Sequence, residues 1–160
     1  MNLVVFELSA LLVGLGLTAF LLFARAELPA LTRRADAAWE SRSHLRRFLL
    51  GLLNGPGLFV LAMALGSRES TKLASLLVAA LLVWLLLWGL VAIAPRLGRR
   101  VLSLAGREGS ELARTLTGGG ILTGTFLFPL VGWIAVLAVF LLAIGTGVSA
   151  IFARPGPPAS

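Results

Sequence analysis

Residues 75–94 read SLLVAALLVWLLLWGLVAIA, an uninterrupted apolar run without a charge or a proline. Few folds accommodate such a run. About 20 helical residues, rising about 1.5 Å each, cross the hydrocarbon core of a bilayer. In lipid the backbone must satisfy its own hydrogen bonds, which a single segment can do only as a helix. Three further runs are predominantly apolar, though each holds a charge or a proline: Leu3–Ala24, Phe48–Leu65 and Gly120–Phe152. Together with residues 73–94 they predict four membrane spans. The last, Gly120–Phe152, exceeds what a straight crossing needs, so it must tilt, kink or project from the bilayer.

Composition agrees. Of 160 residues, 58% are hydrophobic and 13% charged, with a mean hydropathy of +0.97. Soluble domains carry about 25% charged residues. There is no cysteine, which removes disulfides, thiolate metal sites and thiol nucleophiles, and His44 is the single histidine. A net charge of +7 would suggest nucleic acid in a soluble chain. In a membrane protein basic loops reflect topology and anionic headgroups, and no nucleic-acid partner is expected.

The basic residues sort by loop. Arg25, Arg33, Arg34, Arg42, Arg46 and Arg47 lie between the first two spans, and Arg96, Arg99, Arg100, Arg107 and Arg114 between the last two. Only Arg68, Lys72 and Arg154 fall on the other side. This predicts cytoplasmic basic loops and both termini outside, in a bacterial cytoplasmic membrane. The first run is read as a retained span. It lacks the positive stretch of a signal peptide, and Glu7 stands in its place.

The order span, basic loop, glycine-rich span occurs twice. Sliding residues 25–65 over 92–132 pairs Arg33 with Arg100, Ala38 with Ala105, Ser43 with Ser110, Leu45 with Leu112 and Arg47 with Arg114. It also pairs Leu49 with Leu116, Gly51 with Gly118, Gly57 with Gly124 and Phe59 with Phe126. The expected fold is thus all-α: four transmembrane helices in two parallel-repeat hairpins, residues 1–66 and 67–152, followed by a Pro-rich disordered tail at 153–160. Each basic loop shows helical periodicity and predicts an amphipathic helix, lying on the membrane or extending a span. Trp39 suits the headgroup level, and Glu40 and His44 form an i, i+4 pair.

Small residues at four-residue spacing let helices approach closely. Ala10, Gly14 and Thr18 form one such face; Gly51, Gly55 and Gly57 form a second; Gly120 and Gly124 form a third. The bland alternative is small residues facing lipid. Asn54-Gly55-Pro56-Gly57 interrupts the second run. Pro56 lacks an N–H and disfavours a helical Gly55, which predicts a kink or short break with Asn54 facing protein and bonding the freed groups. Pro129 is the breaker of the other copy.

Other residues are read against their plain explanations. Trp84 and Trp88 could flank a quinone or pigment ring by contact, but large apolar fillers explain them. Asn54 could likewise touch a ligand at the proline, but a bend that lets helices pack closely explains it. Trp133 is in the same position. Glu7 could hold a proton or a partner's cation, but it stands near the outer boundary and can snorkel. His44 as a lone metal ligand is less economical than His44 beside Glu40. Arg33, Arg34, Arg46, Arg47, Arg99 and Arg100 are the candidates for contact with lipid headgroups or a partner. No catalytic constellation is present. "LTGGGILTG" lacks the lysine and the preceding strand of a phosphate loop. No metal, cofactor or enzymatic activity is expected; bound lipid is.

The stretches APRLGRRVLSLAGREGSELARTLTGGGILTGTFLFPLVG and LLAIGTGVSAIF resemble the small multi-span bacterial membrane proteins, or membrane domains, that accompany bactofilins. The resemblance covers residues 92–152 best and carries over no functional residue. It implies a scaffolding or anchoring module. The sequence therefore favours a non-catalytic accessory subunit packing against other integral membrane subunits, of a respiratory or photosynthetic complex for instance. The alternatives are a small oligomeric transporter or channel, resting on the broken second span, and an anchor for a cytoskeletal polymer.

Overall fold

The computed structural model describes residues 3–41, 43–126 and 131–152. They form six α-helices and one short 3-10 turn, Glu69–Thr71, with no strand among the described residues. These are α1 (Leu3–Glu27), α2 (Pro29–Ser41), α3 (His44–Gly66), α4 (Lys72–Leu104), α5 (Glu111–Phe126) and α6 (Val131–Phe152). Three stretches are long and apolar enough to cross a membrane: His44–Gly66, Glu69–Leu104 and Ile134–Phe152. Counting the bent pair Leu11–Glu27 and Pro29–Glu40 as one span gives up to four.

Three elements differ from the sequence expectation. The expected span 120–152 is two helices, α5 and α6. Pro129, between them, lies outside the described residues, as do Arg42, Arg154 and the tail 153–160. The expected span 73–94 continues to Leu104, through Pro95. The second amphipathic loop helix is therefore an extension of α4. It ends where Gly106 adopts φ 68° and the Arg107 N–H returns to the Leu102 carbonyl at 2.9 Å. That left-handed residue closing a helix is what glycine permits at no steric cost. The first loop behaves otherwise. At Leu28 the chain turns by 103° before α2 starts at Pro29, a residue suited to the first helical position.

The third difference is at Pro56, where the short break offered as one of two outcomes is absent. Helix α3 runs unbroken from His44 to Gly66 across it. Asn54 Nδ2 donates to the Leu50 carbonyl at 2.8 Å. The carbonyl that Pro56 deprives of a donor is that of Leu52, four residues earlier, so Asn54 does not serve it. Asn54 is half-exposed rather than turned fully into protein.

Contacts divide the chain into two compact units. The first comprises Met1–Thr32 and Leu90–Val139; the second comprises Arg33–Gly89 and Phe140–Ser160. The division does not follow the hairpins 1–66 and 67–152. α4 and α6 each give one half to either unit, because their small residues pair with helices distant in sequence. Within the first unit Leu21, Ala24, Leu90 to Ala94 and Leu122 are buried; within the second, Ala35, Ala38, Leu85, Trp88, Leu141 and Ala143 are.

Candidate functional site

Helix crossings built on glycine organise both units. In the first unit α5 is central. A Cβ on Gly118 would lie 1.8 Å from the Ala94 carbonyl oxygen, and one on Gly98 would lie 1.8 Å from that of Arg114. Real side chains cannot occupy such space, so backbone meets backbone between α4 and α5. On its other side α5 meets α1 through a reciprocal pair. A Cβ on Gly14 would strike Thr123 Cγ2 at 2.0 Å, and one on Gly119 would strike Thr18 Oγ1 at 2.6 Å. Thr18 and Thr123 each donate to a carbonyl of their own helix, Gly14 and Gly119, at 2.9 Å. Each hydroxyl thereby has a bond within its own helix; Thr123 sets its methyl nearest Gly14, while Thr18 brings both its hydroxyl and its methyl against Gly119.

In the second unit α6 is central. The Leu141 oxygen lies 1.7 Å from a Cβ position on Gly51, and the Arg47 oxygen 1.9 Å from one on Gly145. Gly89 stands against the Ala143 oxygen, and Gly147 against that of Leu85. Gly55 has looser neighbours, with Ile144 Cδ1 at 3.2 Å. The sequence reading had selected Gly14, Thr18, Gly51 and Gly55. Gly118 enters only as the repeat partner of Gly51, and Gly89, Gly98, Gly119, Gly145 and Gly147 are not expected from the four-residue spacing. The signal was present: Gly145-x-Gly147 and Gly118-Gly119 are close-set glycines in apolar helices.

Other small residues are left over. Gly57, Gly120 and Gly124 have nothing within 4 Å of a Cβ position. Gly57 makes no packing contact inside the chain, because α3 turns that face outward. Gly120 and Gly124 instead floor an open groove of about 360 Å³ between α1 and α5, in the first unit. Leu11, Gly14, Leu15 and Thr18 line it from α1, and Leu116 and Thr123 from α5. Its walls are mostly apolar. The side chains of Glu7, Ala10 and Trp133 lie outside the described residues.

Arg47 is the clearest correction. Expected as a headgroup contact, it is 1% exposed. Its guanidinium stacks over the Trp39 ring at 3.9 Å, donates through Nη1 to the Trp39 carbonyl, and lies 3.0 Å through Nη2 from His44 Nδ1. The flat, weakly hydrated guanidinium is the basic group best suited to an aromatic face. Trp39 is half-buried and His44 meets its ring edge-on at 5.2 Å. The cluster fastens α2 to α3 within the second unit. The other candidates, Arg33, Arg34, Arg46, Arg99 and Arg100, are exposed.

Trp84 and Trp88 touch each other, with ring centroids 4.5 Å apart and planes at 53°. Trp88 is buried and Trp84 is 46% exposed. Among the described residues no group of three or more His, Asp or Glu could hold a metal ion. No protein-family model, curated protein or solved structure matches the chain.

Proposed function

We propose that this is an integral membrane protein and that it serves as a non-catalytic packing subunit of a larger membrane complex. The observation that carries the reading is the α1/α5 groove. Gly120 and Gly124 form a floor without side chains, framed by Leu11, Leu15 and Leu116. Elsewhere this chain joins its helices by setting such floors against a backbone, at Gly51, Gly98, Gly118 and Gly145. The groove offers the same surface with no helix in it. Its fitting occupant is a transmembrane helix of another subunit, since packing and small-residue approach, rather than apolar burial, drive helix association in lipid.

Outward-facing Leu and Phe side chains such as Leu53, Leu73 and Phe59 support contact with acyl chains. The charge distribution supports basic segments on the cytoplasmic side, where Arg33, Arg34, Arg99 and Arg100 reach anionic headgroups or a partner. With four crossings both termini lie on the opposite side. A transporter reading rested on a break at Pro56, and α3 is continuous there.

The test is purification from native membranes in mild detergent, comparing the natural chain with Gly120→Leu and Gly124→Leu. Both positions are open, so the variants should fold. A membrane subunit that accompanies the natural chain and is lost from both variants is the expected result. A lone chain in every case, or a companion indifferent to both substitutions, would refute the reading.

A further inference from the structure

Pro95 sits inside α4 among the buried residues Val91 to Ala94. A proline there has no N–H to give, so the Val91 carbonyl, four residues earlier, loses its helical donor. Val91 is 1% exposed, leaving that oxygen no access to water. An unserved buried carbonyl is destabilising. Arg25, in the last turn of α1, points two nitrogens at it: Nε at 3.4 Å and Nη2 at 3.3 Å. These are long bonds, as expected when two donors share one oxygen. The third edge of the same guanidinium, Nη1, pairs with Glu111 Oε1 in the first turn of α5. The Arg25 side chain is 15% exposed and that of Glu111 71%.

We infer that Arg25 is the substitute helix donor for Pro95, and that with Glu111 it forms a lock tying α1 and α5 to the proline joint of α4. Only a guanidinium does this, because its donors are fixed in one plane and can serve a carbonyl and a carboxylate together. An ammonium supplies the charge without the fork. With Arg25 engaged, the joint is satisfied and closed. With Arg25 withdrawn, residues 91–95 lack a donor and α4 is free to bend there.

The lock makes a prediction that general packing of Arg25 does not. Replacing Pro95 restores the native donor to Val91, so the chain should then cease to need Arg25. The experiment measures apparent Tm in detergent for Arg25→Met, Arg25→Lys, Pro95→Ala and the double variant R25M/P95A. Arg25→Met and Arg25→Lys should both lower Tm, and Pro95→Ala should recover more than half of the Arg25→Met loss. Glu111→Gln keeps an acceptor oxygen and should cost the least of the series. If Arg25→Met does not fold, recovery of folded protein in R25M/P95A supports the lock, and failure of both overturns it. Additive losses for Arg25→Met and Pro95→Ala, or full rescue by Arg25→Lys, would likewise overturn it.

Discussion

The α4/α5 crossing of the first unit and the α3/α6 crossing of the second use one backbone device with different side chains around it. Ser43 Oγ accepts from the Arg46 N–H, and Ser110 Oγ from the Ala113 N–H, each at 3.3 Å. Four residues on come Arg47 and Arg114, and four further Gly51 and Gly118, each with a carbonyl oxygen of the partner helix 1.7–1.8 Å from the Cβ position. Both arginine carbonyls face the partner's glycine in return, Gly145 and Gly98. The outward positions match too, with Leu45 and Leu112, and Leu49 and Leu116, all exposed. Yet the Arg47 side chain is buried over Trp39, whereas Arg114 is half-exposed. The crossing depends on capped helix starts and absent side chains. The arginine beside it is free to be put to local use.

The largest expected effect follows from that shared device. Gly51→Leu and Gly118→Leu should each abolish recovery of monodisperse protein in detergent, whereas Gly57→Leu should not. Overpacking a core costs about 1–3 kcal/mol where neighbours can give way. Here the obstacle is backbone, and the whole margin of a domain is only about 5–15 kcal/mol. Size-exclusion recovery of the three variants checks this. Survival of Gly118→Leu alongside loss of Gly51→Leu would show that the two crossings are not equivalent.

The comparison also shows what the sequence could and could not reveal. The pairing of residues 25–65 with 92–132 already contained Ser43/Ser110, Arg47/Arg114 and Gly51/Gly118, so one side of each crossing was legible. The partners were not. Gly98 precedes α5 by a hairpin, while Gly145 follows α3 by most of the chain, and no internal alignment relates them. Helical periodicity marked α2 and the end of α4 alike. It could not tell that one loop turns by 103° and the other continues a helix, because that choice lies at Leu28-Pro29 and Pro95 and not in the apolar pattern. Arg47 was misjudged for a similar reason. Charge at the end of a span argues for headgroups unless an aromatic ring and a backbone carbonyl lie beside it, and Trp39 supplies both only once α2 has folded back.

The arginines give the intermediate effect. Arg47→Met should destabilise by about 1–3 kcal/mol, since it removes the hydrogen bond that the buried guanidinium donates to the Trp39 carbonyl. Loss of cation–π contact adds about 0.5–2 kcal/mol. Arg114→Met, at the matching position of the other unit, should stay within about 0.5 kcal/mol, as substitutions away from such features do. Thermal unfolding in one detergent, followed by tryptophan fluorescence, measures both. Equal losses would mean that the two positions carry the same burden and that the asymmetry of burial is without energetic meaning.

The smallest effect concerns the α1/α5 crossing, which differs from the other crossings in using Thr18 and Thr123 where they set glycine against backbone. Hydroxyls between helices invite the idea that hydrogen bonds hold them together. The geometry argues otherwise, since each hydroxyl bonds the carbonyl of its own helix four residues back. What crosses the gap is shape: the Thr123 methyl lies nearest the open side of Gly14, and the Thr18 hydroxyl and methyl together fill that of Gly119. The pair Thr18→Val and Thr123→Val keeps the branched shape and removes both hydroxyls. Interhelical hydrogen bonds in membranes average about 0.6 kcal/mol and reach about 1.7. If shape carries the crossing, the double valine variant should fall below that average in total, while Thr123→Ala, which empties the contact on Gly14, should cost more than both valines together. Reversal of that order in unfolding measurements would make α1 and α5 a hydrogen-bonded pair and set their crossing apart from the glycine crossings of both units.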